Sequence, residues 1–351
     1  MDWKVESGKE QFRGVDAVKF IMAVCVIILH THPLEGINHT LNFITADVLG
    51  RIAVPFFFMA TGFLLAQRKG DGYFFGIDHV KKYVYRILKL YIIWTAIYLP
   101  VIIYKNIIDS GEGLRYGILT SIRDFIFVGS YGHLWYLPAT AVGVAAVFFL
   151  TEKIGERWSG ILLFFLFLAG LLAQSYYGLL EMWTGGGGLV WDALRLLKKV
   201  MVTSRNGIFF GSFFIYMGGW TARRYEKIRL NTWAAWLGAV ISAVLFGYEE
   251  VWLQRLGFVR EGDMYLMLVP SAFFLLLASL CIPIQRDTVL LRKMSMNMYF
   301  IHLYFKFIYR QFLGDYNESG WGLFLFTFCN TLFFAYLLCR IEMRKKKSRL
   351  C

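Results

Sequence analysis

Side chains able to transfer a proton lie along the first apolar segment, residues 15–32. Lys19 and His30 are eleven residues apart, which at 100° per residue is about 1100°, within about 20° of a whole number of helical turns. They are therefore predicted to share one helix face, about 16 Å apart along the axis. Asp16 lies one turn before Lys19 on nearly the same face. An imidazole titrates near neutral pH, but the spacing alone names no reaction. Snorkelling of Lys19 and interfacial capping by His30 are the alternatives.

Further ionisable residues occur in or at the ends of apolar segments, where charged groups normally face a bundle interior or a watery cavity. They include Arg51, His133, Arg205, His302, Lys306 and Arg310. His133 begins an apolar segment beside aromatic residues, a pattern that is also typical of an aromatic belt at the membrane interface. His302 lies in mid-segment, where the alternative to a functional role is a hydrogen bond to another helix.

A basic helix face is predicted in "KKYVYRILKLY", residues 81–91. Lys82, Arg86 and Lys89 follow one another at i, i+4 and i+7, so they share a face of a helix. Such a face binds anionic lipid headgroups. It could equally dock a phosphorylated donor, because basic side chains suit phosphates.

The candidate residues are predicted to lie on membrane helices. The chain of 351 residues is 58% hydrophobic and 18% aromatic, with a mean hydropathy of +0.52, a composition that indicates an integral membrane protein. Runs of about 17 to 25 apolar residues predict an all-α fold of about ten transmembrane helices, while 114–128 and 189–203 are amphipathic and predicted to be interfacial. The predicted spans are 15–32, 47–67, 87–108, 133–151, 158–175, 207–222, 231–248, 264–284, 294–313 and 321–340.

The positive charges predict the orientation of these spans. With both termini cytoplasmic, the inner segments hold 24 of the 37 Lys and Arg, the outer loops nine and the spans four, as the positive-inside rule requires. The net charge of +13 is thereby explained without a nucleic-acid partner. We expect the first span to be permanent rather than a cleaved signal peptide. The predicted organisation is a transmembrane domain over 1–340 and a basic cytoplasmic tail over 341–351, with no separate soluble domain.

The five cysteines show no metal-binding or disulfide pattern. Four lie in or at the ends of apolar runs and Cys351 is terminal, without a CxxC motif or a histidine at metal-ligand spacing. We therefore expect neither disulfides nor a bound metal ion.

Six motifs in order resemble the acyltransferase-3 family of bacterial membrane O-acyltransferases, and the resemblance covers nearly the whole chain. They are the basic-x10-His pattern of Lys19 and His30, "RIAVPFFFMATGFLL", "YRILKLY", "GHLWYLP", "SRNGIFFGSFFIYMGG" and "SMNMYFIH". "HTHPL" followed by "RIAVPFFF" resembles the branch that includes the membrane halves of fused serine racemases of vancomycin resistance. A pyridoxal-phosphate barrel is not expected within 351 residues.

The resemblance implies a plasma-membrane enzyme of a bacterium that transfers an acyl group, usually acetyl, from cytoplasmic acyl-CoA to a hydroxyl of an envelope glycan or related acceptor. The family's basic-x10-His pair carries over to Lys19 and His30. His30 would act as general base or carry the acyl group, and Asp16 would pair with Lys19. The family's basic pair carries over to Arg86 and Lys89, with Lys82 beside them, although this sequence lacks the arginine-rich cluster of the sugar-modifying members.

The remaining candidates are acceptor-binding or oxyanion-stabilising groups, namely His133, Arg205, His302 and Arg51. Two other function classes fit the same sequence. Charges within broken spans are also typical of a small-solute carrier, here for a serine-type amino acid, although no internal repeat is evident. A non-catalytic anchor or sensor is the third class. Oligomeric state cannot be read from the sequence.

Overall fold

The computed structural model describes residues 12–67, 74–228, 231–313 and 319–348. Within these ranges the chain is helical and contains no strand, so the predicted all-α class is confirmed. The basic pair at 68–69 and the last three residues of the predicted tail lie outside the described residues.

The described residues form thirteen α-helices, several of them extended by a short π or 3-10 segment. In chain order they are α1 Arg13–Thr31, α2 His39–Asn42, α3 Gly50–Ala66, α4 Ile77–Ile103, α5 Leu114–Phe127, α6 Tyr136–Leu172, α7 Tyr177–Thr184, α8 Leu189–Met201, α9 Ser212–Ile228, α10 Thr232–Arg255, α11 Leu268–Leu280, α12 Val289–Phe312 and α13 Trp321–Ser348. The π segment Phe43–Leu49 joins α2 to α3, and the 3-10 turn Gly132–Trp135 leads into α6.

Six helical segments of the described chain are long and apolar enough to cross a membrane: Arg13–Thr31, His39–Ala66, Ile77–Asp109, Gly132–Leu172, Thr232–Arg255 and Trp321–Arg344. The sequence predicted ten spans, and the difference from these six segments has physical causes. Two of them, 133–151 and 158–175, lie in the single element α6, which is broken at Gly155 with φ of 78°, a conformation that glycine adopts without a Cβ clash. α11 has 13 residues, while α9 and α12 carry clustered charges.

Loops predicted to share one side of the membrane contact one another. Glu156, beside the break in α6, pairs with Arg223 at 3.4 Å and also with Arg224. Lys293 pairs with Glu342 at 3.2 Å. We call the end of the bundle that holds these pairs the basic end. The loops 173–206 and 256–267 contact each other at the opposite end, where Arg205 pairs with Asp263 at 2.9 Å.

Helices α3 and α9 cross at the centre of the core at very short range. A Cβ on Gly62 would overlap the carbonyl oxygen of Ile215, and one on Gly218 would overlap that of Met59. Small residues allow membrane helices to pack backbone against backbone. The fully buried rings of Phe56, Phe58 and Phe214 surround this crossing, so α3 and α9 form the rigid centre of the bundle.

Candidate active site

Three histidines from three different helical elements form one contiguous cluster. The ring of His30, near the end of α1, stacks on His302 of α12 with 5.2 Å between centroids and 28° between planes. His302 also meets His133, in the 3-10 turn before α6, edge to face at 4.8 Å. His30 is half-buried, His133 is 3% exposed and His302 is fully buried. The sequence singled out all three residues but contained no sign that they touch.

Backbone carbonyls of α12 fix the tautomers of the two buried rings. His302 Nδ1 lies 2.8 Å from the carbonyl oxygen of Tyr299 and 3.2 Å from that of Met298. His133 Nε2 lies 3.2 Å from the carbonyl oxygen of Phe300. A carbonyl oxygen only accepts hydrogen bonds, so each of these nitrogens carries a proton. In the neutral rings, His302 Nε2 and His133 Nδ1 therefore hold lone pairs, and both are buried without a hydrogen-bond partner in the described chain.

Two tyrosine hydroxyls hold the backbone around this cluster. Tyr98 donates to the carbonyl oxygen of Phe300 at 2.8 Å, and Tyr299 donates to that of His133. Both hydroxyls come from buried side chains. Supporting hydrogen bonds of this kind keep reactive groups in a fixed geometry, so the histidine cluster has a rigid second layer.

An open pocket of about 430 Å³ leads to His30. It is lined by Leu29, His30, His32, Glu35, Lys306 and Ser319. Lys306 Nζ donates to the carbonyl oxygen of His30 at 2.5 Å, which brings a cation to the His30 end of the pocket. Lys306 is one of the four basic residues counted within the predicted spans, but the sequence analysis assigned it no role. Its spacing of four residues from His302 places both on one face of α12.

Arg205 lies beside the cluster at the same end of the bundle. Its guanidinium pairs with Asp263 and lies 4.8 Å from the ring centroid of Trp135. The charge of Arg205 acts on His30. Its Nε is buried and has no hydrogen-bond acceptor among the described residues. A buried N–H of this kind can stabilise negative charge that develops on a reacting group.

Lys19 and Asp16 lie away from the histidines, towards the basic end. α1 is unbroken from Arg13 to Thr31, as the shared face of Lys19 and His30 requires. Asp16 is buried, accepts a hydrogen bond from Thr288 at 2.9 Å and lies 3.8 Å from Arg292. Lys19 is half-buried and experiences the charges of Asp16, Arg292 and Arg86. The two ends of α1 therefore carry chemically distinct groups.

Arg51 belongs to a buried ionic network rather than to the histidine cluster. It pairs with Asp47 and Glu250, at 3.3 and 3.4 Å, and donates to the carbonyl oxygen of Gly262. Glu250 is 1% exposed, and its neighbour Glu249 accepts from the backbone N–H groups of Leu266 and Met267 at 2.7 Å. The sequence analysis missed both glutamates because the predicted span stopped at residue 248.

The basic face of α4 is exposed. Lys82, Arg86 and Lys89 all have solvent-accessible side chains, and the Arg86 guanidinium lies 5.1 Å from the ring centroid of Tyr83. Because Arg86 also acts electrostatically on Lys19, this face adjoins the Lys19 end of α1. Across the described residues, no group of three or more His, Cys, Asp or Glu side chains is suited to hold a metal ion.

Comparison with known proteins identifies the family. A model for an acyltransferase domain matches residues 12–340, nearly the whole chain. The chain belongs to this acyltransferase family. The resemblance inferred from the motifs is thereby confirmed, and with the apolar helices it makes the chain a multi-pass membrane protein of acyltransferase type.

Curated relatives belong to the predicted branch. The chain is 29% identical over 272 residues to an amino-acid racemase of Enterococcus faecalis, covering 76% of this chain and 35% of the relative. A second racemase of that organism is 30% identical over 279 residues, covering 77% and 37%. A serine/alanine racemase of Enterococcus gallinarum is 26% identical over 264 residues, covering 75% and 36%. The matched part thus spans little more than a third of each relative, and no solved structure matches the chain.

Proposed function

We propose that this protein transfers an acyl group, with acetyl as the expected case, from cytoplasmic acyl-CoA to a hydroxyl of an envelope glycan or related acceptor in a bacterial plasma membrane. The observation that carries the proposal is that His30, which lines a 430 Å³ pocket, stacks on His302, within a chain of the acyltransferase family. The alternative of amino-acid transport, raised by the racemase-linked branch, is tested alongside it.

The proposed topology has ten spans, both termini in the cytoplasm and the basic tail 341–351 beyond the last span. The ion pairs that connect 152–158 with 222–230 support a common side for these loops. In this orientation the exposed face of Lys82, Arg86 and Lys89 is cytoplasmic and receives the phosphates of the donor. Lys19 and Asp16 lie near this entrance, with Lys19 about 16 Å from His30 along α1, so they contact the pantetheine arm of the donor while its thioester reaches His30.

In the proposed reaction, the acceptor hydroxyl attacks the thioester carbonyl carbon while His30 removes the hydroxyl proton. The tetrahedral intermediate collapses, the carbon–sulfur bond breaks, and the CoA thiolate takes up the proton from His30. If His30 carries the acyl group instead, its imidazole nitrogen first bonds to the carbonyl carbon as the carbon–sulfur bond breaks, and the CoA thiolate takes up the imidazole proton. The acceptor hydroxyl then attacks the acyl-imidazole, the nitrogen–carbon bond breaks, and His30 takes up the hydroxyl proton. His30 forms no hydrogen bond through its ring within the described chain, so both nitrogens are available for these roles.

The tautomers assign different roles to the other candidates. His302 Nε2 and His133 Nδ1 offer lone pairs and therefore suit acceptance of a proton or of a hydroxyl hydrogen bond. Arg205 has a buried, unpartnered Nε–H, so it suits stabilisation of the oxyanion. Lys306 adds positive charge at the His30 end of the pocket. Arg51 was another oxyanion candidate, and its pairing with Glu250 and Asp47 favours a structural role.

The direct test is transfer of radiolabelled acetyl from acetyl-CoA in membranes that carry the protein at wild-type levels. His30→Ala and Lys19→Ala should each abolish transfer. His39→Ala is a matched control, because His39 is 84% exposed and pairs only with Glu35 in the described structure. Wild-type turnover in either active-site variant would refute the assignment. Serine counterflow by the purified protein without acetyl-CoA binding would establish the transport alternative.

A further inference from the structure

A second site lies at the opposite end of the bundle from the basic end, between α6, α7 and α8. A cleft there is lined by Ala173, Tyr177, Leu180, Trp191, Leu194, Arg195 and Arg260. The space in it that the centre of a water-sized sphere can occupy is about 10 Å³, roughly room for one water-sized oxygen atom. None of these residues takes part in the proposed acyl transfer.

Two aromatic rings line one side of the cleft, and an arginine packs against one of them. Trp191 and Tyr177 contact each other with 5.4 Å between ring centroids. The guanidinium of Arg260 lies 4.8 Å from the centroid of the Tyr177 ring, a cation–π arrangement that orients the guanidinium. The Trp191 side chain is only 7% exposed, and its indole N–H is buried without an acceptor among the described residues. A buried donor without an acceptor is costly, so this N–H suits an acceptor oxygen of a ligand.

Two arginines give the cleft its positive charge. Arg195 and Arg260 both line it with exposed side chains, and neither forms an ion pair in the part of the chain that the structure describes. The acidic neighbour Glu261 instead accepts a hydrogen bond from Thr203 at 3.4 Å. Two arginines and an indole N–H are donors without acceptor capacity, and arginine binds carboxylate and phosphate oxygens in bidentate fashion.

The cleft connects to the candidate active site through hydrogen bonds. The backbone N–H of Arg260 donates to the carbonyl oxygen of Gln174 at 3.1 Å, and the Gln174 side chain donates to Thr203 Oγ1 at 3.3 Å. Thr203 Oγ1 accepts in turn from the backbone N–H of Arg205 at 3.1 Å. The cleft and the Arg205 region therefore lie at the same end of the bundle.

We propose that Trp191, Arg195 and Arg260 form an anion-binding site that holds a carboxylate or phosphate of the acyl acceptor. One anion oxygen occupies the enclosed space and accepts from the indole N–H, while the arginines bind the remaining oxygens from the exposed side. The half-buried Tyr177 ring provides an apolar surface for the ring that bears the anion. The identification of the ligand as the acceptor rests on the proposed function, whereas anion binding itself does not.

The test is equilibrium binding of glucose 6-phosphate, glucuronic acid and glucose to the full-length protein in phosphatidylcholine nanodiscs. We expect both anions to bind and glucose to bind at least tenfold more weakly. Arg195→Gln and Arg260→Gln should each raise the Kd for the anions at least tenfold, and Trp191→Phe, which keeps the ring but removes the N–H, severalfold. Arg255→Gln is the matched control, since Arg255 is an exposed arginine in the last turn of α10.

Two outcomes overturn the proposal. Anion binding that is equal to glucose binding, or unaffected by the two arginine substitutions, removes the site. Loss of binding when phosphatidylglycerol replaces part of the phosphatidylcholine assigns the cleft to lipid headgroups instead of an acceptor. The exposed positions of Arg195 and Arg260 keep the test interpretable if Trp191→Phe fails to fold. Binding that persists in His30→Ala without any acetyl transfer by the wild type would refute the proposed function and leave anion binding intact.

Discussion

At the scale of single residues, His302 is the group whose environment is most restrictive. Its Nδ1 proton is held by α12 carbonyls, so only Nε2 is free to accept a proton. His302→Phe keeps a ring between His30 and His133 but removes this nitrogen. We expect kcat for acetyl transfer to fall by about 10²-fold or more, with the KM for acetyl-CoA unchanged, as measured in nanodiscs. His79→Phe, outside the cluster, serves as control, and a wild-type kcat for His302→Phe would reduce His302 to a packing residue.

Arg51 tests the distinction between a structural and an acceptor-binding residue. Its removal leaves Glu250, which is 1% exposed, without its nearest cation. Arg51→Ala should therefore lower the free energy of unfolding by about 3–5 kcal/mol, measured as a large drop in Tm of the detergent-solubilised protein. Arg255→Ala, at an exposed site of α10, should leave Tm unchanged. An unchanged Tm combined with lost acetyl transfer would instead return Arg51 to the acceptor site.

At the scale of elements, the crossing of α3 and α9 determines the position of everything around it. Gly62→Ala places a methyl group on the carbonyl of Ile215, so the two helices must separate. Overpacking of this kind costs about 1–3 kcal/mol, and we expect a corresponding fall in Tm in detergent. Gly36→Ala provides the control, because a Cβ there meets nothing within 4 Å. Equal Tm values for the two variants would show that the crossing relaxes freely.

At the scale of the whole molecule, the number of spans depends on the break in α6. In the ten-span topology, single cysteines at Asp78 and Lys153 face the cytoplasm, whereas those at Glu112 and Glu181 face outwards. All four residues are exposed. In a background with the native cysteines changed to serine, a membrane-impermeant maleimide should label Glu112→Cys and Glu181→Cys in intact cells. Asp78→Cys and Lys153→Cys should require permeabilisation.

Labelling at Lys153→Cys is the decisive result of this experiment. If Gly155 only bends a helix that crosses once, residues 153 and 181 cannot lie on opposite sides as proposed, and the pattern of labelling reverses after α6. Reversal would contradict both the ten-span count and the cytoplasmic C-terminus, while the labelling of Asp78→Cys and Glu112→Cys would still report on the first half.

Local sequence patterns are enough to predict the helical membrane class, the family and the three candidate histidines. Hydropathy and helical period act over neighbouring residues, so runs of apolar residues predicted the helices, and the one-face relation of Lys19 and His30 followed from the geometry of a single unbroken α1. The six motifs were sufficient to recognise the family, because each is a pattern of neighbouring residues. The boundaries were less well predicted: α4 begins at Ile77, about ten residues before the predicted span 87–108.

Which of these side chains contact one another depends on the packing of the helices. His30, His133 and His302 come from positions up to 272 residues apart, and packing of three elements brings the His302 ring to 5.2 Å from His30 and 4.8 Å from His133, centroid to centroid. Packing also brings Lys306 to the backbone of His30 and pairs Arg51 with Glu250. The pairing of charges in a bundle depends on which helices face each other. Contacts across helices follow from global packing, which no local period encodes.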